Sequence, residues 1–218
     1  SKLKNIMYVI RRSKHNPLLA PVSEKHWESQ GTFNPSPVML GSELHVLYRA
    51  LARPDPLVNP GGMSTIGKAI STDGNRFHDR RQFIVPEHEW EKYGCEDPRV
   101  TFFEVKYYTF YTALGGIPFG PGNIKVACAI SKDLVTIDSK HLITPFNAKA
   151  MTLFPERING KITVIVTAHT DEPPAKIAIA QCNKIEDLWS LAFWQKWHDE
   201  IDKHVINPVR EAQDHIEV

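Results

Sequence analysis

Three short stretches set acid, amide or guanidinium side chains against a proline: Phe33-Asn34-Pro35, Glu96-Asp97-Pro98-Arg99 and Phe154-Pro155-Glu156. Their prolines fall 63 and 57 residues apart, and another step of about sixty reaches Asp214-His215-Ile216-Glu217-Val218. If these positions are equivalent in a repeating fold, they converge on one mouth, supplying Asn34, Glu96, Asp97, Arg99, Glu156, His215 and Glu217. Several carboxylates with one or two cations around a pocket suit a ligand rich in hydroxyls. A carboxyl that can protonate a leaving oxygen is what cleavage of a glycosidic bond calls for. Taken singly, each residue has a plainer explanation, since an acid before a proline caps a turn and an Arg nearby pairs with it. Their coincidence at three repeat positions argues for a site.

Such residues need a scaffold, and the chain repeats in a way that provides one. Val38 to Ala50, Val100 to Ala113 and Arg157 to Ala168 each read as strand, tight turn, strand, with turns at Gly41-Ser42-Glu43, Glu104-Val105-Lys106 and Asn159-Gly160-Lys161. Asn-Gly is the strongest hairpin signal of the three, because both residues accept positive φ. A third strand follows each hairpin, at Ser64 to Ser71, Asn123 to Ser131 and Ala175 to Gln181. Ser71-Thr72-Asp73-Gly74 and Ser131-Lys132-Asp133-Leu134 then lead into polar stretches that end at Pro86 and Pro145. Four strands per unit of about sixty residues, recurring as a block, predict an all-β fold made of β-propeller blades rather than a sandwich. The chain would cover about three blades and the start of a fourth. Propellers close with typically four to eight blades, so a single incomplete catalytic domain over residues 1–218, continued in a longer protein, is expected.

With 26 basic and 25 acidic residues there is no electrostatic footprint for nucleic acid or an anionic membrane surface. The three cysteines, Cys95, Cys128 and Cys182, lack the paired spacing of a zinc site or a disulfide framework and read as reduced, buried thiols. Neither a secretory leader nor an apolar span is recognisable, so a cytoplasmic location is expected. Trp189, Trp194 and Trp197 read as packing residues, and His26, His78 and His198 receive no role.

The chain resembles glycoside hydrolase family 130, five-bladed propellers that include mannoside phosphorylases and some mannosidases. The resemblance rests on Phe33-Asn34-Pro35, Tyr48-Arg49, Ser71-Thr72-Asp73-Gly74, Gly94-Cys95-Glu96-Asp97-Pro98-Arg99, Tyr108 to Thr112 and Leu153-Phe154-Pro155-Glu156. It implies that Asp97 is the general acid, acting through the 3-hydroxyl of a bound mannosyl unit. Asn34 and Arg49, with Glu96, Arg99 and Glu156, would hold the sugar, and Lys149 and His215 would bind inorganic phosphate. The implied reaction is inverting phosphorolysis of β-linked mannosides to α-mannose 1-phosphate, with phosphate as co-substrate, no metal or other cofactor, and self-association left open.

One departure bears on phosphate. Where many phosphorylases of the family carry His-Arg, this chain has His169-Thr170, and a threonine cannot replace a bidentate guanidinium. Arg157, or a residue from the further blades, is a candidate substitute. Two other readings stay open: a hydrolase in which Glu156 or Glu217 activates water, and an inactive or merely sugar-binding propeller fragment.

Overall fold

The computed structural model describes residues 11–57 and 61–206. It is built of antiparallel units with one short α-helix. The first unit comprises β1 (Gly31–Leu40), β2 (Glu43–Leu51), β3 (Ser64–Ser71) and β4 (His78–Ile84), and the second β5 (Gly94–Phe103), β6 (Lys106–Leu114), β7 (Ile124–Ser131) and β8 (Ser139–Leu142). Within each, sequential strands pair antiparallel. Among the described residues the strands of the two units pair only where Ser64 meets Gly94 in a parallel bridge. The third unit holds β9 (Ala148–Leu153), β10 (Ile162–Ala168) and β11 (Lys176–Cys182).

The central strands explain why the units must stack. Tyr107 through Leu114 of β6 are buried without a break, as are His45 through Tyr48 of β2, whereas β4 is mostly exposed. A strand buried along consecutive residues is covered on both faces, so each unit needs a neighbour on either side. Leu47, Ile66 and Ile84 accordingly pack with Cys95, Tyr111 and Ala113 between the first and second units. Phe110, Val126 and Cys128 pack with Val164, Val166 and Ala180 between the second and third. The outer face of the first unit is covered in part by Leu19 and Trp27. Gly67 lies under that cover: a Cβ there would come within 2.6 Å of Tyr48 and 2.7 Å of Trp27. Gly67→Ala is expected to lower stability by about 1–3 kcal/mol, the usual cost of overpacking a core, read from a denaturant midpoint. An unchanged midpoint would mean that the ring cover over β3 is loose.

All three tight turns fall where the sequence places them, and the strands after each hairpin match within one residue. The Ser-x-Asp turns repeat atom for atom. Ser71 Oγ accepts from Gly74 N at 2.9 Å and Asp73 Oδ1 from Asn75 N and Arg76 N at 2.8 Å; Ser131 Oγ accepts from Leu134 N at 2.9 Å and Asp133 Oδ1 from Val135 N at 2.7 Å. Gly74 and Leu134 both adopt positive φ, 72° and 54°. The first unit fills this left-handed position with the residue that suits it, and the second with a fully buried leucine.

The third unit departs from the expected pattern in two ways. Its first strand is Ala148–Leu153, ahead of the expected start at Arg157, and around the Asn159-Gly160 turn only Ile158 and Lys161 bridge. After β11 comes α1 (Leu191–Asp199), capped by Ser190, which accepts from Phe193 N, where a fourth strand is expected. Trp194 and Trp197 on α1 are buried in the core shared with the second unit, which bears out their reading as packing residues. Among the described residues the edge of β11 is paired beyond the helix, by Val205 opposite Ala178. The cysteines are all buried and free. No helix among the described residues is long and apolar enough to cross a membrane.

Candidate active site

The first strands of the three units carry the same irregularity. Pairing slips between Phe33 and Ser36 on β1 and between Glu96 and Arg99 on β5, and β9 carries a matching slip against β10 between Thr152 and Lys149. One residue in each slip is left-handed: Asn34 at φ 46°, Asp97 at 53° and Ala150 at 51°. The pairs Phe33 with Arg49, Glu96 with Thr112, and Lys149 with Thr167 set the register. These residues therefore occupy equivalent positions, and so do Asn34, Asp97 and Ala150. The alignment on Pro35, Pro98 and Pro155 is thus corrected. Glu156 is not the counterpart of Asp97; it lies exposed in the β9–β10 connection, near the Asn159-Gly160 turn, at the opposite end of β9 from Lys149.

The bulge on β5 has a direct chemical effect. Successive residues of a regular strand point to opposite faces, but the left-handed Asp97 breaks the alternation, and both neighbouring carboxylates reach one guanidinium. Arg49 Nη2 lies 2.5 Å from Glu96 Oε1, and Nη1 lies 3.8 Å from Asp97 Oδ1. Arg49 also donates from Nε to Ser64 Oγ at 3.1 Å and lies over the Phe33 ring, 5.7 Å from its centroid. Asn34 Nδ2 donates to Asp97 Oδ1 at 2.7 Å. No described residue donates to Asp97 Oδ2. Asp97 and Asn34 line a cleft of about 420 Å³ that Arg99 also borders, and the Arg99 side chain is exposed. Burial pushes the Glu96 carboxyl above the usual carboxylate range, with Asp97 adding to the rise and Arg49, Ser64 and Lys149 opposing it.

Lys149, which holds on β9 the position that Glu96 holds on β5, is near enough for its charge to oppose that rise. Its ammonium is not free: Nζ lies 3.0 Å from Asp171 Oδ1. Asp171 also accepts from Asn147 Nδ2 at 2.9 Å and from Thr170 Oγ1 at 2.8 Å, while its own N–H donates to Asn147 Oδ1 at 2.9 Å. Burial alone would raise the Asp171 carboxyl, but the bonds from Asn147, Thr170 and Lys149 outweigh it and hold the group below the usual range. Arg157 is engaged elsewhere, with Glu104 at 2.7 Å and the Asn183 carbonyl at 3.1 Å. His215 and Glu217 lie outside the described residues. The structure thus brings Asn34, Arg49, Glu96, Asp97 and Arg99 together, adds Lys149 at their flank, and leaves Glu156 apart. Sequence reasoning passed over Ser64 and Asp171; for Asp171 the signal was its position directly after Thr170.

Behind the site, each of the first two units holds a buried acid, a tyrosine and a cation. Glu28 accepts from Tyr48 Oη at 2.8 Å and from Arg80 Nη2 at 2.7 Å. Glu91 accepts from Tyr111 Oη at 2.6 Å, from Lys140 Nζ at 3.0 Å and from Cys95 Sγ at 3.4 Å. Tyr48 and Tyr111 directly precede Arg49 and Thr112, and Cys95 directly precedes Glu96. The networks therefore anchor the strands that carry the site. In the third unit the corresponding residue is the apolar Val166.

Repeated β units bearing a cleft of acid, amide and guanidinium groups define a β-repeat protein with a polar cleft. The family model for beta-1,4-mannooligosaccharide phosphorylase matches residues 9–195, and the chain belongs to glycoside hydrolase family 130. It is similar to a beta-1,2-mannobiose phosphorylase of Thermoanaerobacter sp. (strain X514), with 32% identity over 71% of this chain and 53% of that protein. A 1,2-beta-oligomannan phosphorylase of the same organism is 28% identical over 93% of this chain and 63% of that protein. This chain therefore spans less than two thirds of their length. In fold it is similar to a solved beta-1,2-mannobiose phosphorylase from Listeria innocua in complex with beta-1,2-mannobiose, with a TM-score of 0.64, 22% identity, and coverage of 80% of this chain and 63% of the other.

Proposed function

We propose that the three units are blades of a five-bladed propeller whose full protein cleaves β-mannosides with inorganic phosphate, inverting the anomeric centre. The observation that carries this reading is the convergence of Asn34, Arg49 and Glu96 around Asp97, at a cleft that Asp97 and Asn34 line. Similarity to relatives named for 1,2-linked substrates favours β-1,2-linked mannosides. Arg49 and Asn34 both engage Oδ1 of Asp97, which leaves Oδ2 as the site for a transferable proton. In the family's mechanism that proton passes to the 3-hydroxyl of the mannosyl unit, and the hydroxyl's own proton passes to the glycosidic oxygen. A phosphate oxygen bonds to the anomeric carbon from the opposite side as the bond to the leaving oxygen breaks. The products are α-mannose 1-phosphate and the shortened sugar. No base is needed to activate the nucleophile, because phosphate is already anionic at neutral pH. Arg99 and Glu96 border the sugar in this scheme, and Lys149 and His215 attend the phosphate.

Hydrolysis is a second reading, favoured by one observation: the single described cation on the phosphate side, Lys149, is already paired with Asp171, and Thr170 stands where an arginine would strengthen phosphate binding. The full-length enzyme should separate the two with β-1,2-mannobiose as substrate. Phosphorolysis requires turnover to depend on phosphate and to yield mannose 1-phosphate. Equal turnover in phosphate-free buffer, with free mannose as the only product, would establish the hydrolase instead.

A further inference from the structure

Beside Lys149 the chain itself supplies an anion, Asp171. Asn147 precedes β9 and Asp171 follows β10, and the pairing of Ala148 with Ala168 brings these two strand ends side by side. There the Asp171 carboxylate receives an ammonium, an amide N–H and a hydroxyl, at 3.0, 2.9 and 2.8 Å. The same three kinds of donor, converging on oxygen from separate positions, make a seat for a small oxyanion. The seat is preformed: the Asn147 side chain is fixed by the Asp171 backbone N–H and by its own bond to the Ile124 carbonyl at 3.2 Å. The carboxylate that fills it is part-exposed, with 26% of its side chain accessible, so the seat communicates with solvent.

We propose that Asp171 is an internal oxyanion occupying the seat of an external one, so that its carboxylate competes with phosphate for Lys149, Asn147 and Thr170. The proposal rests on the reading of Lys149 as facing the incoming nucleophile. It makes Asp171 the residue that sets how strongly the enzyme depends on phosphate. Phosphate gains the full set of donors only when the carboxylate withdraws, and a shorter neutral side chain at position 171 would leave the seat vacant.

The test needs no sugar and no turnover. Binding of inorganic phosphate to the full-length protein is measured by titration calorimetry, and in parallel by the phosphate-dependent rise in melting temperature. Asp171→Ala should bind phosphate at least about tenfold more tightly than the wild type, the worth of one charge-assisted hydrogen bond. Formate should also stabilise the variant, because it restores the missing carboxylate. The gain should vanish in the double variant with Lys149→Ala. If the alanine variant does not fold, Asp171→Ser carries the same comparison, since its hydroxyl keeps a partner for Thr170. Phosphate affinity no higher in the variant than in the wild type, or a gain that survives loss of Lys149, would overturn the proposal. Phosphate-free turnover by the wild type would sink the phosphorolysis reading, while the binding measurement decides the role of Asp171 separately.

Discussion

Replacing Asp97 with asparagine should leave mannoside binding nearly intact and lower turnover on an unactivated β-mannoside by roughly 10² to 10⁴, the usual contribution of a general acid. The isosteric amide keeps an oxygen for Asn34 and Arg49, which both address Oδ1, but has no proton to give. Glu96 provides the control. It sits beside Asp97 on the same guanidinium, and burial raises its carboxyl, a direction that would also suit a proton donor. Its contact with Arg49 at 2.5 Å makes it a holder of that side chain, so Glu96→Gln should weaken sugar binding more than it slows the bond-breaking step. Turnover near normal in Asp97→Asn, with a collapse in Glu96→Gln, would exchange the two roles. A substrate with a good leaving group sharpens the comparison, because it needs little protonation: Asp97→Asn should recover much of its rate on it.

The largest expected loss of stability comes from Glu91. This carboxylate is fully buried, and its side chain gathers Tyr111, Lys140 and Cys95 together with the backbone N–H groups of Glu87 and His88, at 2.9 and 3.3 Å. Burial holds the Tyr111 hydroxyl far above its ordinary pKa, with Cys95 and Glu91 adding to the effect, so it remains a donor at every working pH. Glu91→Ala would leave that hydroxyl without an acceptor. It would also leave the Lys140 ammonium, 3% exposed, with only the Val85 carbonyl and the solvent-facing Glu87. Breaking a buried pair in this way costs about 3–5 kcal/mol, and in a chain of this size each kcal/mol lowers the melting temperature by about 2–4 °C. A midpoint lowered by less than about 2 °C would show that water reaches the network. Lys140→Met with Glu91→Gln removes both charges together and should restore part of the loss, because two neutral groups avoid the penalty of one stranded charge.

What the sequence made legible follows from chemistry that is local. Gly41, Asn159-Gly160 and the paired Ser-x-Asp turns specify backbone geometry within three or four residues, and the strands that follow the hairpin turns were placed almost to the residue. The acid-amide-guanidinium cluster was legible for a related reason: Asn34 and Asp97 are among the few side chains that tolerate positive φ, and each stands before a proline that cannot donate to the sheet. The third unit lacked these markers. Ala150 occupies the left-handed position there with no proline after it, so the prominent Phe154-Pro155-Glu156 drew the register toward the turn and gave Glu156 a place it does not hold. The helix at Leu191–Asp199 was hidden by the expectation of a fourth strand. Its tryptophans pack against a neighbouring unit, which no local pattern announces. Asp171 adjoins Thr170 in the sequence, but Lys149 and Asn147 come to it only through the register of β9 and β10.

The shared left-handed position on β1, β5 and β9 suggests how such a protein diversifies. The backbone offers the same socket three times, loaded with an amide, an acid and a methyl group. Because the geometry belongs to the strand and not to the side chain, the contents of a socket can change while the sheet around it keeps its pairing. Specificity in this fold is then a matter of lettering on a fixed frame. In this chain the place at Ala150 is blank, beside a lysine whose charge the chain already answers for itself.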